Sequence, residues 1–294
     1  MNARGLVLDP AALRMRAVRG VFRTLSAVSP SIAARAASRL WFTPPRPTLP
    51  QAWREFLATG ERRELFVHGR RVVSWSWGDG DRVILFVHGW GGTAAQVQSF
   101  VAPLTQAGYR VITFDAPAHG ASGASRFGEK QSTFFDFADA MMAIGRDMNV
   151  AGVIAHSGGC TAVAWAIRSG WRVPAAVFVA PMGSPLAYRA TFQSALGVSD
   201  DVMARFSART EERLQFKWEE LEVPTVANVA ETPRLLVVHD RDDRETSWEE
   251  GAAVADAWPN ARLITTKGLG HRKVLKDTSV VKNVVTFIAN EDHA

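Results

Sequence analysis

The sequence predicts an α/β protein with a mostly parallel central sheet flanked by helices. Three observations carry this. Short apolar runs at 83–87, 110–114, 150–155, 175–180 and 235–238 read as strands, several of them buried on both faces. Stretches with helical patterning separate them, so the strands are joined by right-handed crossovers into a parallel sheet. The turns after these runs are rich in glycine, histidine and aspartate. In such sheets ligands sit at the carboxyl ends of the strands.

In chain order, residues 1–60 form a basic helical arm. Leu13, Ala17, Val21, Leu25 and Val28 fall on one helical stripe, away from Arg16, Arg19 and Arg23. Ile32, Ala36 and Leu40 repeat the pattern opposite Arg35 and Arg39. Thr43-Pro44-Pro45-Arg46-Pro47 breaks the second helix. Residues 61–181 are the first part of the core. Strands at 64–67 and 71–77 turn at His68-Gly69, strands at 83–87 and 110–114 flank a helix at 94–107, and a helix at 131–147 precedes the strand at 150–155. Residues 182–231 interrupt the alternation with polar, helical patterning at 200–206 and 210–221, the size of a lid inserted between two strands. The core resumes over 232–294 with a strand at 235–238, a helix at 248–258, a strand at 261–265 and a closing helix at 277–289.

Composition narrows the function. The single cysteine, Cys160, excludes an intrachain disulfide, and no Cys/His cluster suggests a structural zinc. Residues 1–50 hold eight arginines and one acid, Asp9, a local charge of +7 against +5 for the whole chain. The high pI therefore belongs to the arm, while the rest is slightly acidic, which argues against nucleic acid as a partner. Arginines interrupt every candidate signal-peptide core, and no run approaches the ~20 apolar residues of a membrane span. The expected location is cytoplasmic, or peripheral to a membrane. Residues 1–50 are expected to pack on the body or on a second subunit, since such stripes are common in soluble helices. Binding to an anionic membrane surface is the rival reading.

The chemistry centres on Val153-Ile154-Ala155-His156-Ser157-Gly158-Gly159-Cys160, a buried strand that turns sharply at a serine into a helix. Such a turn projects the hydroxyl from the sheet edge, and the next backbone amides face the space above it. An acidic turn, His239-Asp240-Arg241-Asp242-Asp243-Arg244, and then Gly268-Leu269-Gly270-His271 follow later in the chain. The order serine, acid, histidine, each after a strand, together with His88-Gly89-Trp90-Gly91-Gly92 and Asp115-x-Pro-x-His119-Gly120-x-Ser122, resembles the α/β-hydrolase-fold serine hydrolases over about 64–289.

The resemblance implies an α/β-hydrolase fold with a small helical lid and an extra N-terminal arm. It implies an esterase-like enzyme that needs no cofactor and acts on a small-molecule ester. Ser157 would be the nucleophile and His271 its general base and acid. The acid lies among Asp240, Asp242 and Asp243; the family's His-Gly-x-x-Asp pattern selects Asp243, with Asp242 second. The amides of Trp90 and Gly158 would form the oxyanion hole, and Trp90 and His156 would line the substrate site. Asp115, Pro117, His119, Ser122 and His239 are expected to be structural. Phe192, Leu196, Phe206, Phe216 and Trp218 would either line a pocket or anchor the lid helices. One departure stands out: Ala155 occupies the first glycine position of Gly-x-Ser-x-Gly. A ligand-binding or signalling protein with little turnover is the alternative, because fold does not fix function.

Overall fold

The computed structural model describes residues 10–290, with side chains from Met15 onward. Its helices are α1 (Pro10–Val28), α2 (Pro30–Trp41), α3 (Gln51–Ala58), α4 (Gln98–Gln106), α5 (Phe134–Gly145), α6 (Gly158–Arg168), α7 (Pro185–Leu196), α8 (Asp200–Leu214), α9 (Trp248–Ala257), α10 (Gly270–Lys273) and α11 (Thr278–Ala289). The strands are β1 (Glu61–Val67), β2 (Arg70–Trp77), β3 (Arg82–Val87), β4 (Arg110–Asp115), β5 (Asn149–His156), β6 (Ala175–Val179), β7 (Arg234–Asp240) and β8 (Ala261–Thr266). They form one sheet in the order β1-β2-β4-β3-β5-β6-β7-β8. The first two strands run antiparallel to their neighbours, and all later pairings are parallel.

Alternation along the strands builds two cores. Val83, Leu85 and Val87 of β3 join one apolar cluster with α5 and α6, while Ile84 and Phe86 join another with α4 and α11. In β7, Leu235 and Val237 take the first side and Leu236 and Val238 the second. A strand apolar at every position is the pattern for burial on both faces. The chain runs from β3 out to β4 and then returns to place β5 on the other side of β3. The carboxyl ends of β3 and β5 therefore flank a topological switch point, where doubly wound sheets bind their ligands.

The chain forms two compact units: one from the chain up to Phe42 with Pro185–Glu219, the other from Thr43–Ser184 and the chain from Glu220. In the smaller unit, Trp41 meets Phe192, Phe206 and Trp218 edge-on at 5.0–5.8 Å between ring centres. Leu196, Phe206, Phe216 and Trp218 are buried there, so these side chains act as anchors of the helices.

Several expectations shift in detail. The helix expected at 94–107 begins as a 3-10 turn, Ala94–Val97, before α4. The two helical segments expected at 200–206 and 210–221 are one helix, α8, ended by Gln215 in the left-handed conformation, with a 3-10 turn at Trp218–Leu221. His271 lies on the short helix α10 rather than in an open loop. The apolar stripes of α1 and α2 are not the faces these helices bury. Val21 is 57% exposed and Val28 71%, whereas Phe22, Ala33, Ala34 and Ala37 are buried. Leu13 lies outside the described side chains.

Candidate active site

The serine turn is strained and held. Ser157 has φ 52° and ψ −124°, a left-handed conformation that costs a side-chain-bearing residue about 1–3 kcal/mol. Its amide donates to Val179 O at 3.0 Å, and its carbonyl accepts from Cys160 N at 3.0 Å and Met182 N at 3.2 Å. Gly159 makes the turn possible, because a Cβ there would stand 2.7 Å from the carbonyl oxygens of both Val87 and His88. Ala155 is fully buried in β5, opposite Val87 and Phe178, so its methyl fills core rather than crowding the turn. The thiol of Cys160 is buried behind the serine and donates to Ala155 O at 3.3 Å. Burial pushes that thiol well above its ordinary pKa, which makes it a packing group.

The loop after β3 lies against this turn. A Cβ on Gly89 would stand 3.0 Å from Ser157 Cβ, and one on Gly158 would stand 3.7 Å from Trp90 Cβ. The amides of Gly89, Gly91 and Gly92 are bound to Gln96 Oε1, His119 Nε2 and Gly89 O. That leaves the Trp90 amide without a protein acceptor among the described residues. Gly158 opens α6, so its amide has no intrahelical acceptor either. The Trp90 ring packs among His119, Phe134 and Phe137.

His271 and Asp243 meet at 2.8 Å, Nδ1 to Oδ2, both buried. The other two aspartates of the turn have different partners. Asp240 accepts from Asp242 N, Thr266 Oγ1 and Leu269 N, and Asp242 accepts from Gly268 N. Both thus tie the turn after β7 to the turn before α10. Asp243 collects four donors: His271 Nδ1 and Thr246 Oγ1 at 3.1 Å on one oxygen, and the amides of Glu245 and Thr246 on the other; His239 Nε2, bonded to Thr246 O, stands 3.4 Å from the first oxygen. Burial alone would raise this carboxyl, but the hydrogen bonds outweigh it and hold Asp243 well below the usual carboxylate range. An ionised Asp243 can only accept a hydrogen bond, so Nδ1 of His271 carries the proton and donates it to the bond, which leaves the lone pair on Nε2.

His156 links the histidine to the serine turn. Its Nε2 donates to His271 O at 2.9 Å, and the two rings lie 4.7 Å apart. The residue is 2% exposed, and burial, with His271 close by, pushes it down to about 3. A neutral, enclosed ring whose one donor is spent on a backbone carbonyl works as packing. Asp115 accepts from Ala94 N and Ala121 N at 2.7 Å each, and so binds the loops after β3 and β4 together.

Three participants were not singled out by type and order. His239, expected to be structural, touches the acid at 3.4 Å. Thr246 reaches Asp243, His271 and Ala180 O through one hydroxyl. An acidic residue followed by a threonine three positions on, in a turn, is the available signal for it. Gln96 supports the loop after β3 from one helical turn away and leaves no such signal. No group of metal-ligating side chains occurs among the described residues.

A family model described as alpha/beta hydrolase fold matches residues 82–227, and one described as TAP-like protein matches 211–292. The chain belongs to the α/β-hydrolase-fold family. A search of curated proteins finds no match. Among solved structures, an esterase from Pyrococcus furiosus is 17% identical with a TM-score of 0.59, covering 84% of this chain and 95% of its own. A serine hydrolase involved in carbazole degradation is 17% identical (TM-score 0.56, 78% and 98% covered). A thioesterase domain from the curacin biosynthetic pathway is 14% identical (TM-score 0.56, 78% and 98% covered). At these identities the likeness is one of fold.

Proposed function

We propose that the protein is a serine hydrolase that cleaves a carboxylic ester, or a related acyl bond, through an acyl-enzyme on Ser157. The observation that carries this is the 2.8 Å pair of His271 Nδ1 and Asp243 Oδ2, joined through His156 to a serine in a strained strand-to-helix turn. The esterase, serine hydrolase and thioesterase that share the fold support the same class.

In this reading His271 Nε2 takes the Ser157 hydroxyl proton as Oγ bonds to the acyl carbon. The carbonyl π electrons move to oxygen, and the amides of Trp90 and Gly158 donate to the oxyanion, each worth on the order of 3 kcal/mol in the transition state. The tetrahedral intermediate expels the alcohol oxygen, which takes the proton from His271. Water then attacks the acyl-enzyme, with His271 again as base, and Ser157 leaves with the returned proton. Asp243 stays ionised throughout, fixing the tautomer of His271 and stabilising its cation.

A fluorophosphonate probe tests this directly. The expected result is one adduct, mapped by mass spectrometry to Ser157 and abolished by Ser157→Ala. Intact, folded protein that takes no adduct at Ser157, or a Ser157→Ala variant that hydrolyses p-nitrophenyl esters at the wild-type rate, would overturn the reading.

A further inference from the structure

The smaller unit has a face that its own packing does not use. Its helices α1 and α2 already bury one apolar side each, through Phe22 and through Ala33, Ala34 and Ala37. Each carries a second apolar side that stays open. On α1 this includes Val21 and Val28, 57% and 71% exposed; on α2 it includes Ile32 and Leu40, 38% and 44% exposed. A shallow groove of about 370 Å³ runs between the helices, lined by Ala17, Val21 and Leu25 of α1 and Ala36 and Leu40 of α2. The outer side of a soluble helix normally carries polar residues, and contiguous exposed apolar surface marks an interaction site.

The charge around this face selects the partner. Residues 10–41 hold six arginines and no carboxylate. Arg16, Arg19, Arg23, Arg35 and Arg39 are all exposed. Arg19 holds the neighbouring helix, donating to Ala195 O at 2.8 Å. On α2, Arg35 and Arg39 each lie one position before Ala36 and Leu40, so the guanidinium groups flank the open stripe. That is the pattern of a helix lying in a lipid interface, with apolar residues dipping below the headgroups and long cationic side chains reaching back to them. No helix among the described residues is long and apolar enough to cross a membrane. A second copy of this chain is a poor occupant, because pairing two such faces would appose their arginines with no carboxylate from either helix pair to offset them.

We infer that α1 and α2 dock the protein on the surface of an anionic lipid bilayer, with Val21, Val28, Ile32 and Leu40 seated in the interface and arginines on the phosphate and carboxylate groups above it. Binding therefore falls with rising salt and requires anionic lipid, since each basic side chain acts by attraction to the surface potential. The inference does not depend on the chemistry at Ser157.

The test is co-sedimentation of the full chain with vesicles of phosphatidylcholine alone and of phosphatidylcholine mixed with phosphatidylserine. The expected result is binding to the mixed vesicles, little binding to the neutral ones, and release at high salt. The combined variant Arg16→Gln, Arg23→Gln, Arg35→Gln is expected to weaken binding at least about tenfold. Ile32→Ser with Leu40→Ser is expected to weaken it similarly while keeping the wild-type circular dichroism and melting temperature, because both side chains are already solvent-exposed. The inference fails if the full chain ignores anionic vesicles, or if both sets of variants bind them as wild type does. It also fails if the chain is a dimer that Leu40→Ser dissociates and that shows no vesicle binding.

Discussion

The end of β4 and the turn after β7 each bring histidines close to a buried aspartate, Asp115 and Asp243, and their wiring differs. In the first, His88 Nδ1 donates to Gly89 O at 2.7 Å and its Nε2 accepts from Ala116 N at 3.0 Å. His119 Nδ1 donates to Pro117 O at 3.1 Å, and its Nε2 accepts from Gly91 N at 3.1 Å. Both rings are neutral linkers with every nitrogen spent on backbone, and burial holds both below their ordinary pKa. In the second, His271 Nδ1 is spent on a carboxylate at 2.8 Å, and its Nε2 makes no bond to backbone among the described residues but lies 4.0 Å from Glu245 Oε2. Residue type and strand-end position therefore do not separate a structural histidine from a candidate base. The fate of the second ring nitrogen does.

Substitution separates the two clusters most sharply. His271→Ala should lower kcat for ester hydrolysis by roughly 10⁴-fold or more, and Asp243→Asn by on the order of 10³–10⁴-fold, because an amide at 243 can favour the wrong tautomer of the ring. His119→Gln should leave kcat within about threefold, while lowering the melting temperature through its weakened ties to Gly91 and Pro117. Steady-state kinetics paired with thermal melts would show it. A His119→Gln enzyme as inactive as His271→Ala would collapse the distinction.

The next effect is on stability in acid. His156 is held at about 3 in the fold against 6.5 as its ordinary value. Between those values the unfolded chain binds a proton the folded chain refuses, so stability falls as pH drops below about 6.5. At pH 5 this one residue costs about 2 kcal/mol relative to pH 7. His88 and His119 shift in the same direction. Asp136 opposes them: burial raises its carboxyl to about 6, so its contribution is present at low pH and lost as pH rises through 6. It offsets only about 1 kcal/mol over the same interval, so the histidines win. Urea melts should show lower stability at pH 5 than at pH 7, with a shallower loss in His119→Gln. Equal stability at the two pH values would mean that the buried rings are not kept neutral.

These contrasts explain what the sequence disclosed. Strands such as 83–87 and 235–238 were legible because burial on both faces leaves them apolar at every position, a signal that does not depend on tertiary detail. The Ser157 turn was legible because strain demands small neighbours, as Gly159 between two carbonyl oxygens illustrates. The contact of His239 and Thr246 with Asp243 was hidden, because it depends on how one loop folds back, and periodicity carries nothing about that. Which faces α1 and α2 bury within the chain was hidden for a related reason. Their stripes of larger apolar residues looked like the packing face, yet α2 packs through Ala33, Ala34 and Ala37, whose small side chains allow close approach.

The smallest expected effect concerns Ala155, the departure from the family's glycine. Its methyl is fully buried between neighbours in β3 and β6 and belongs to the core shared with α5 and α6. Ala155→Gly removes that methyl, worth about 1 kcal/mol of burial, and adds backbone freedom inside a strand, worth a further ~0.5–1 kcal/mol. The position points into the core rather than at Ser157, so the rate of fluorophosphonate labelling should stay within about twofold of wild type while stability falls by about 1–2 kcal/mol. A labelling rate that rises severalfold would show instead that the alanine restrains the serine turn. The departure would then belong to the chemistry of Ser157 and not to packing.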